Sequence, residues 1–153
     1  MLENKVLVVP ILEFYYPCQV GDNINDYESQ NAAAGAAAFM SGKVPVDYNR
    51  IRGFESFIIC LIAAGNQADD VTAIIVNGGA EGEQSDTKAD TFNKTVTYVS
   101  GQTLFVDITA EVNAMEPRLE AGELFGLVAT PTAKINLSFL GIRGKYSPLY
   151  PVQ

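Results

Sequence analysis

Polar and apolar residues alternate in three stretches of this chain. Over residues 103–112 every second position is apolar, and the positions between them are polar except Phe105. Residues 95–99 and 134–139 repeat the pattern. A period of two is typical of a β-strand with one face on a core and the other in water. The pattern therefore predicts antiparallel strands, with residues 100–102 as a hairpin loop between the first two.

Other stretches are apolar on consecutive positions. Residues 54–62, 71–76 and 124–129 are rich in β-branched and aromatic side chains, and the first two end in glycine- and asparagine-containing turns. Such strands are buried on both faces or cover one face with another subunit. Residues 110–119 fit one short helix, which Pro117 limits. Without a sustained helical period, the chain is predicted to be all-β, an antiparallel two-sheet sandwich of the jelly-roll kind.

The first fifty residues differ in character from the remainder. Residues 6–12 fit an edge strand, because Pro10 cannot donate to a central ladder. Residues 31–40 form a run of small side chains suited to a connector. We therefore predict an extended N-terminal arm over residues 1–49 and a sandwich domain over 50–153. The arm either packs on its own sandwich or reaches a second copy.

The absence of histidine excludes histidine-based triads, acid–base pairs and the metal sites of cupins. The net charge is −8, and residues 66–123 carry all of it with eleven acids against three bases. Such a charge makes a nucleic-acid partner unfavourable. The acidic segment is either a solvated face or the counterpart of the basic residues after 124, meeting them across copies.

The acidic side chains do not form a catalytic pattern. Asp107 and Glu111 would lie roughly 13 Å apart on one strand, too far for an acid–base pair. The acids of 69–70 and 81–90 lack calcium-loop spacing. We predict no enzyme, no metal and no cofactor. We also expect no signal peptide and no membrane segment.

Aromatic and basic side chains near both ends of the chain are the predicted contact residues. Tyrosine, phenylalanine and arginine supply much of the binding energy at protein interfaces. The predicted set is Phe14, Tyr15, Tyr16, Phe39, Arg143, Lys145, Tyr146 and Tyr150. The apolar tail 146–152 either folds over its own sandwich or docks on a partner.

Two segments carry a resemblance to known families. Residues 119–127 place a Gly-acid turn before a strand, and residues 137–142 read Leu-Ser-Phe-Leu-Gly-Ile. This resembles the end of C1q- and TNF-like jelly-roll modules. In build, the chain is similar to jelly-roll cement or decoration proteins of tailed-phage capsids. That similarity implies a non-enzymatic, homo-oligomeric structural protein that binds itself and a capsid or other protein assembly. Its location would be the virion, assembled in the host cytoplasm.

The same sequence is also compatible with a different function. A carbohydrate- or receptor-binding module would build its site from loops 66–70, 77–91 and 113–118. Those loops would have to form a concave surface of aromatic side chains and carboxylates.

Overall fold

The computed structural model describes residues 10–17, 28–29, 38–63, 67–79, 81–82, 88–129 and 137–148. Within these ranges the chain forms two antiparallel sheets and one short helix. The strands are β1 (Leu12–Pro17), β2 (Glu28–Ser29), β3 (Ala38–Lys43), β4 (Phe54–Ala63), β5 (Gln67–Gly79), β6 (Lys88–Tyr98), β7 (Thr103–Asp107), β8 (Leu124–Ala129) and β9 (Leu137–Tyr146), and the helix is α1 (Thr109–Asn113).

The strand pairing is nested from the ends of the chain inward. β1 pairs with β9, β3 with β8, β4 with β7 and β5 with β6, all antiparallel. Further pairing of β4 with β9 and of β5 with β8 joins these hairpins into two sheets. The first sheet has the order β1-β9-β4-β7, with β2 also on β9, and the second has the order β3-β8-β5-β6. A long hairpin folded in this way is a jelly roll, which confirms the predicted fold.

The predicted hairpin at residues 100–102 is wrong. The turn itself forms, since Gly101 has a φ of 76° and the N–H of Gln102 donates to the carbonyl of Val99 over 3.1 Å. However, β6 belongs to the second sheet and β7 to the first, so this turn carries the chain between layers. A tight turn reverses the chain, whereas the partners of the flanking strands depend on contacts far away in sequence.

The alternating stretch 103–112 forms two elements instead of one strand. β7 ends at Asp107, whose Oδ1 accepts hydrogen bonds from the backbone N–H of Thr109 over 2.9 Å and from its hydroxyl. α1 follows, and Val112 is the residue of this helix that is buried. The predicted short helix at 110–119 is thus found at 109–113. Ile108 and Val112 fit a helix as well as a strand, because they lie four positions apart.

The N-terminal segment, where it is described, is part of the sandwich. β1 is an edge strand of the first sheet, and β3, which includes part of the predicted connector, is an edge strand of the second. Of the two alternatives for the N-terminal segment, these strands take the first and pack on their own sandwich. The division of the chain at residue 49 stays a prediction. Tyr48 also forms an isolated bridge with Pro148, so the tail folds back on its own sandwich at that point.

The core between the sheets combines aliphatic and aromatic side chains. Four side chains at its centre are at most 1% exposed: Phe57 and Ile59 of β4, Leu127 of β8 and Ile142 of β9. The rings of Tyr48 and Phe54 stack with centroids 4.4 Å apart. Among the described residues there is no helix with the length and hydropathy needed to span a membrane.

Candidate binding surfaces

The predicted contact residues divide between the two faces of the first sheet. Side chains of successive strand residues point to opposite faces, so Phe14, Tyr15 and Tyr16 cannot share one. Tyr15 points outward and is 52% exposed. Arg143 and Lys145 of β9 point to the same side of the sheet and are half-buried. The structure thus brings three of the eight predicted residues onto one outer face.

Phe14, Tyr16 and Tyr146 point into the sandwich, which corrects their prediction as exposed contact residues. The Phe14 ring lies 5.8 Å from that of Phe54, edge to face. The hydroxyl of Tyr16 donates to the carbonyl of Lys43. Tyr146 is 6% exposed. The Tyr16 ring reaches the opposite layer, where it lies 5.9 Å from the ring of Phe125, whereas Phe14 packs on rings of its own sheet. These contacts between aromatic rings stabilise the core.

The hydroxyl of Tyr146 is held at one end of the core. It donates to a carboxylate oxygen of Asp47 over 2.6 Å. Burial, followed by the hydrogen bond to Asp47, raises the pKa of Tyr146 to about 12. Of the two remaining predicted residues, Phe39 lies in β3, and Tyr150 lies outside the described residues.

The outer face of the first sheet carries an exposed apolar patch, which we call the aromatic face. It is defined by Tyr15 of β1, Leu140 and Arg143 of β9, Ile58 of β4 and Phe105 of β7. The register places Tyr15 opposite Arg143 and Arg143 opposite Ile58. Phe105 is 54% exposed and Leu140 37% exposed. Four of the five strands of the first sheet thus contribute to this surface.

Arg143 lies at the centre of the aromatic face and is held there by its neighbours. Its guanidinium carbon lies 4.6 Å from the centroid of the Phe105 ring, a cation–π contact. Its Nε is buried and has no hydrogen-bond partner among the described residues. The hydroxyl of Tyr15 donates to the carbonyl of Leu140 over 2.9 Å. Both side chains are therefore ordered before any partner binds.

The charges around the aromatic face nearly cancel. Lys145 pairs with Glu13 over 3.3 Å, and Asp107 adds an acid on the same side of the sheet as Arg143. Glu55 is exposed at a bulge in β4. Three acids against two bases leave this surface close to neutral, although the whole chain has a net charge of −8.

A second surface lies at one end of the sandwich, between the loop before β4 and the segment after α1. We call it the loop-end cleft. One part, of about 410 Å³, is lined by Arg50, Ile51, Glu116, Pro117 and Arg118. An adjoining part of about 420 Å³ is lined by Tyr48, Asn49, Arg50, Ile51, Glu120 and Ala121. Arg50 and Ile51 therefore form a ridge between two open hollows.

Hydrogen bonds join the two walls of the loop-end cleft. Nη1 of Arg118 donates to the carbonyls of Arg50 and Ile51, over 2.9 and 3.5 Å. Arg50 pairs with Glu120 over 2.8 Å. Asn113 exchanges two hydrogen bonds with the backbone of Phe54, over 2.8 and 2.9 Å. The cleft is thus built by contacts between segments about sixty residues apart in sequence.

A buried ion pair lies beneath the loop-end cleft. Lys88 of β6 contacts Glu123, and both side chains are only 5% exposed. The same ammonium lies 3.3 Å from Glu120, which lowers the pKa of that carboxyl. The other oxygen of Glu123 accepts the backbone N–H of Glu120 over 3.1 Å. Because Glu123 binds both the Lys88 ammonium and the backbone N–H of Glu120, the pair supports the turn before β8.

Little in the described part of the chain points to a metal or a reactive nucleophile. No group of three or more metal-ligating side chains is found there. Burial raises the pKa of the Cys60 thiol, which keeps it in its weakly nucleophilic protonated form. The loop that we predicted at 66–70 is largely strand, because β5 begins at Gln67.

Two features of these surfaces were not assigned from the sequence. Phe105 is the single apolar residue on the polar side of an alternating stretch, and this break in the pattern is the signal that could have found it. Three of the four arginines of the chain, Arg50, Arg52 and Arg118, lie in the two segments of the loop-end cleft. That clustering becomes visible only once the two segments are known to meet.

No protein-family model and no curated protein matches the chain. One similar solved structure is the crystal structure of a carbohydrate-binding module specific for non-crystalline cellulose, CBM28, with 13% identity and a TM-score of 0.26. The match covers 90% of this chain and 72% of that module. The all-β class therefore rests on the strand pairing of this chain.

Proposed function

We propose that this chain is a non-catalytic structural module that self-associates through its aromatic face. The observation that carries the proposal is the ordered cluster on the outside of the first sheet, in which the exposed Phe105 and Tyr15 flank the half-buried Arg143. Aromatic residues and arginine are enriched at the centres of protein interfaces. Contiguous apolar patches on soluble proteins commonly mark such contacts.

The charge distribution favours a second copy as the partner. A chain of net charge −8 repels its own copies over most of its surface, and the repulsion is weakest where acids and bases cancel. The aromatic face is such a region, because Arg143 and Lys145 offset two of its three acids, Glu13 and Asp107. A contact made by the same patch on both copies would be isologous and closed.

The cation–π contact of Arg143 adds a second reason. A second copy that covers the Phe105 ring and the guanidinium would exclude water from this contact and so strengthen it.

A role in a larger assembly extends this proposal. Jelly rolls occur in viral capsid proteins and in lectins, so the fold by itself does not choose between them. We retain the capsid or other protein assembly as the predicted partner and the virion as the predicted location. The aliphatic character of Ile58 and Leu140 on the aromatic face suits a protein surface better than a sugar.

The proposal is tested by sedimentation equilibrium of the wild-type chain and of Phe105→Ser from low to high micromolar concentration. We expect wild-type oligomers and a dissociation constant at least about tenfold weaker in the variant, the scale of a hot-spot residue. Leu124→Ser is the matched control, because Leu124 is 66% exposed on the second sheet. A wild-type monomer throughout, or equal weakening by both substitutions, would overturn the proposal. Saturable binding on a glycan array, lost in Phe105→Ser, would instead favour the carbohydrate-binding module.

A further inference from the structure

Three of the four arginines of this acidic chain lie at the loop-end cleft. Arg50, Arg52 and Arg118 lie in or beside it, whereas Glu116 and Glu120 are the acids of its lining. Glu120 is already shared between Arg50 and Lys88. Among the described residues, no carboxylate forms an ion pair with Arg52 or Arg118. The guanidinium groups of Arg52 and Arg118 are therefore not neutralised by an ion pair with any described residue.

Arg118 is positioned before any ligand arrives. One of its nitrogens is occupied by two backbone carbonyls of the opposite wall. The planar guanidinium is thereby fixed, and its other N–H groups remain for a carboxylate. A fixed arginine loses less side-chain entropy on binding than a free one.

The ridge between the two hollows is apolar at its tip. Ile51 is 83% exposed, the largest fraction among the big apolar side chains that the structure describes. Pro117 lies beside it in the same lining. An exposed isoleucine between arginines offers apolar contact and charge pairing within one short stretch of surface.

We propose that the loop-end cleft binds an extended acidic peptide segment of a partner protein. Its carboxylates pair with Arg118 and Arg52, and an apolar side chain of the same segment covers Ile51 and Pro117. This site is separate from the aromatic face and carries a different chemistry, so the chain could self-associate on one surface and hold a partner on another.

The lining argues for a peptide over other anions. Glu116 would repel a dense polyanion such as a nucleic acid, which the net charge of −8 already disfavours. A peptide can place its carboxylates away from Glu116 and present an apolar side chain to Ile51. The contact is open to solvent, so its strength should fall as salt is added.

Fluorescence anisotropy with a labelled hexapeptide, Glu-Leu-Glu-Glu-Leu-Glu, tests the proposal on the full chain. We expect saturable binding at low salt that weakens several-fold at physiological salt. Arg52→Glu should weaken binding about tenfold or more, because it replaces an attraction by a repulsion. Ile51→Ser should weaken it several-fold. The peptide in which glutamine replaces glutamate should not bind.

Lys43→Glu is the matched control for charge. Lys43 is exposed on β3, its side chain forms no ion pair among the described residues, and the substitution changes the net charge by the same amount as Arg52→Glu. The proposal is wrong if the peptide shows no saturation up to about 1 mM at low salt, a very weak affinity for a protein contact. It is also wrong if Lys43→Glu weakens binding as much as Arg52→Glu. If Arg52→Glu loses self-association and the wild-type chain does not bind the peptide, the cleft contacts a second copy. The proposal of an acidic peptide as its partner is then wrong.

Discussion

The ion pair between Lys88 and Glu123 gives the sharpest prediction about stability. Replacing Lys88 by methionine keeps most of the side-chain volume and removes the cation. The carboxylate of Glu123 then stays 5% exposed, with the backbone N–H of Glu120 as its remaining partner. Removing one member of a buried pair typically costs about 3–5 kcal/mol, because the other charge is left uncompensated. That is a large part of the ~5–15 kcal/mol by which domains are stable.

Urea denaturation followed by circular dichroism at neutral pH measures the effect. The double variant Lys88→Met/Glu123→Gln should recover at least half of the loss, since the buried charge is then gone and the amide oxygen can still accept from Glu120. Arg50→Met is the control, because it breaks an exposed pair whose side chains are 57% and 47% exposed, and should cost under about 1 kcal/mol. If Lys88→Met also costs under about 1 kcal/mol, the pair is solvated and our description of this end of the core is wrong.

Two further predictions concern packing and alkaline pH. A methyl group on Gly144 would overlap the ring of Phe14, so Gly144→Ala should lower the free energy of unfolding by ~1–3 kcal/mol. Phe14→Leu in the same chain should restore part of it, and additive losses would contradict the overlap. Burial raises the pKa of Tyr48 to about 12 from 10.0. Its proton is therefore held more tightly in the folded state, and stability should fall as the pH rises from 10 towards 12, by at most ~1.4 kcal/mol per pH unit from this group. Because the pKa of Tyr146 is raised to about 12 as well, Tyr48→Phe should reduce the slope of stability against pH in urea melts across this range without abolishing it. An unchanged slope would show that the Tyr48 hydroxyl does not contribute.

The alternation of polar and apolar residues was enough to predict strands and the two-layer class. It could not predict which strands pair with each other. Residues 95–99 and the strand after them look like a hairpin but lie in different sheets. Local patterns report which face of a strand is buried, whereas pairing depends on contacts distant in sequence. The stretch 103–112 shows a related ambiguity, because Ile108 and Val112 satisfy both a strand and a helix.

The outer face was predicted only in part, because the contact residues were chosen by residue type and not by the face of the strand on which they lie. Tyr15, Arg143 and Lys145 lie on one outer face, but Phe14 and Tyr16 could have been separated from Tyr15 by the period of two alone. Phe105 could have been found as the break in an otherwise polar face. The loop-end cleft could not, since Arg50 and Arg118 are 68 residues apart and only the fold brings them together.

Self-association through the aromatic face is the central claim, and photo-crosslinking tests it most directly. The photoreactive residue p-benzoylphenylalanine replaces either Phe105 on the aromatic face or Leu124 on the second sheet, and the purified chain is irradiated at micromolar concentration. Our account predicts a covalent dimer from position 105 and little or none from position 124. A dimer formed from position 124 alone, or no dimer from either position, would contradict it.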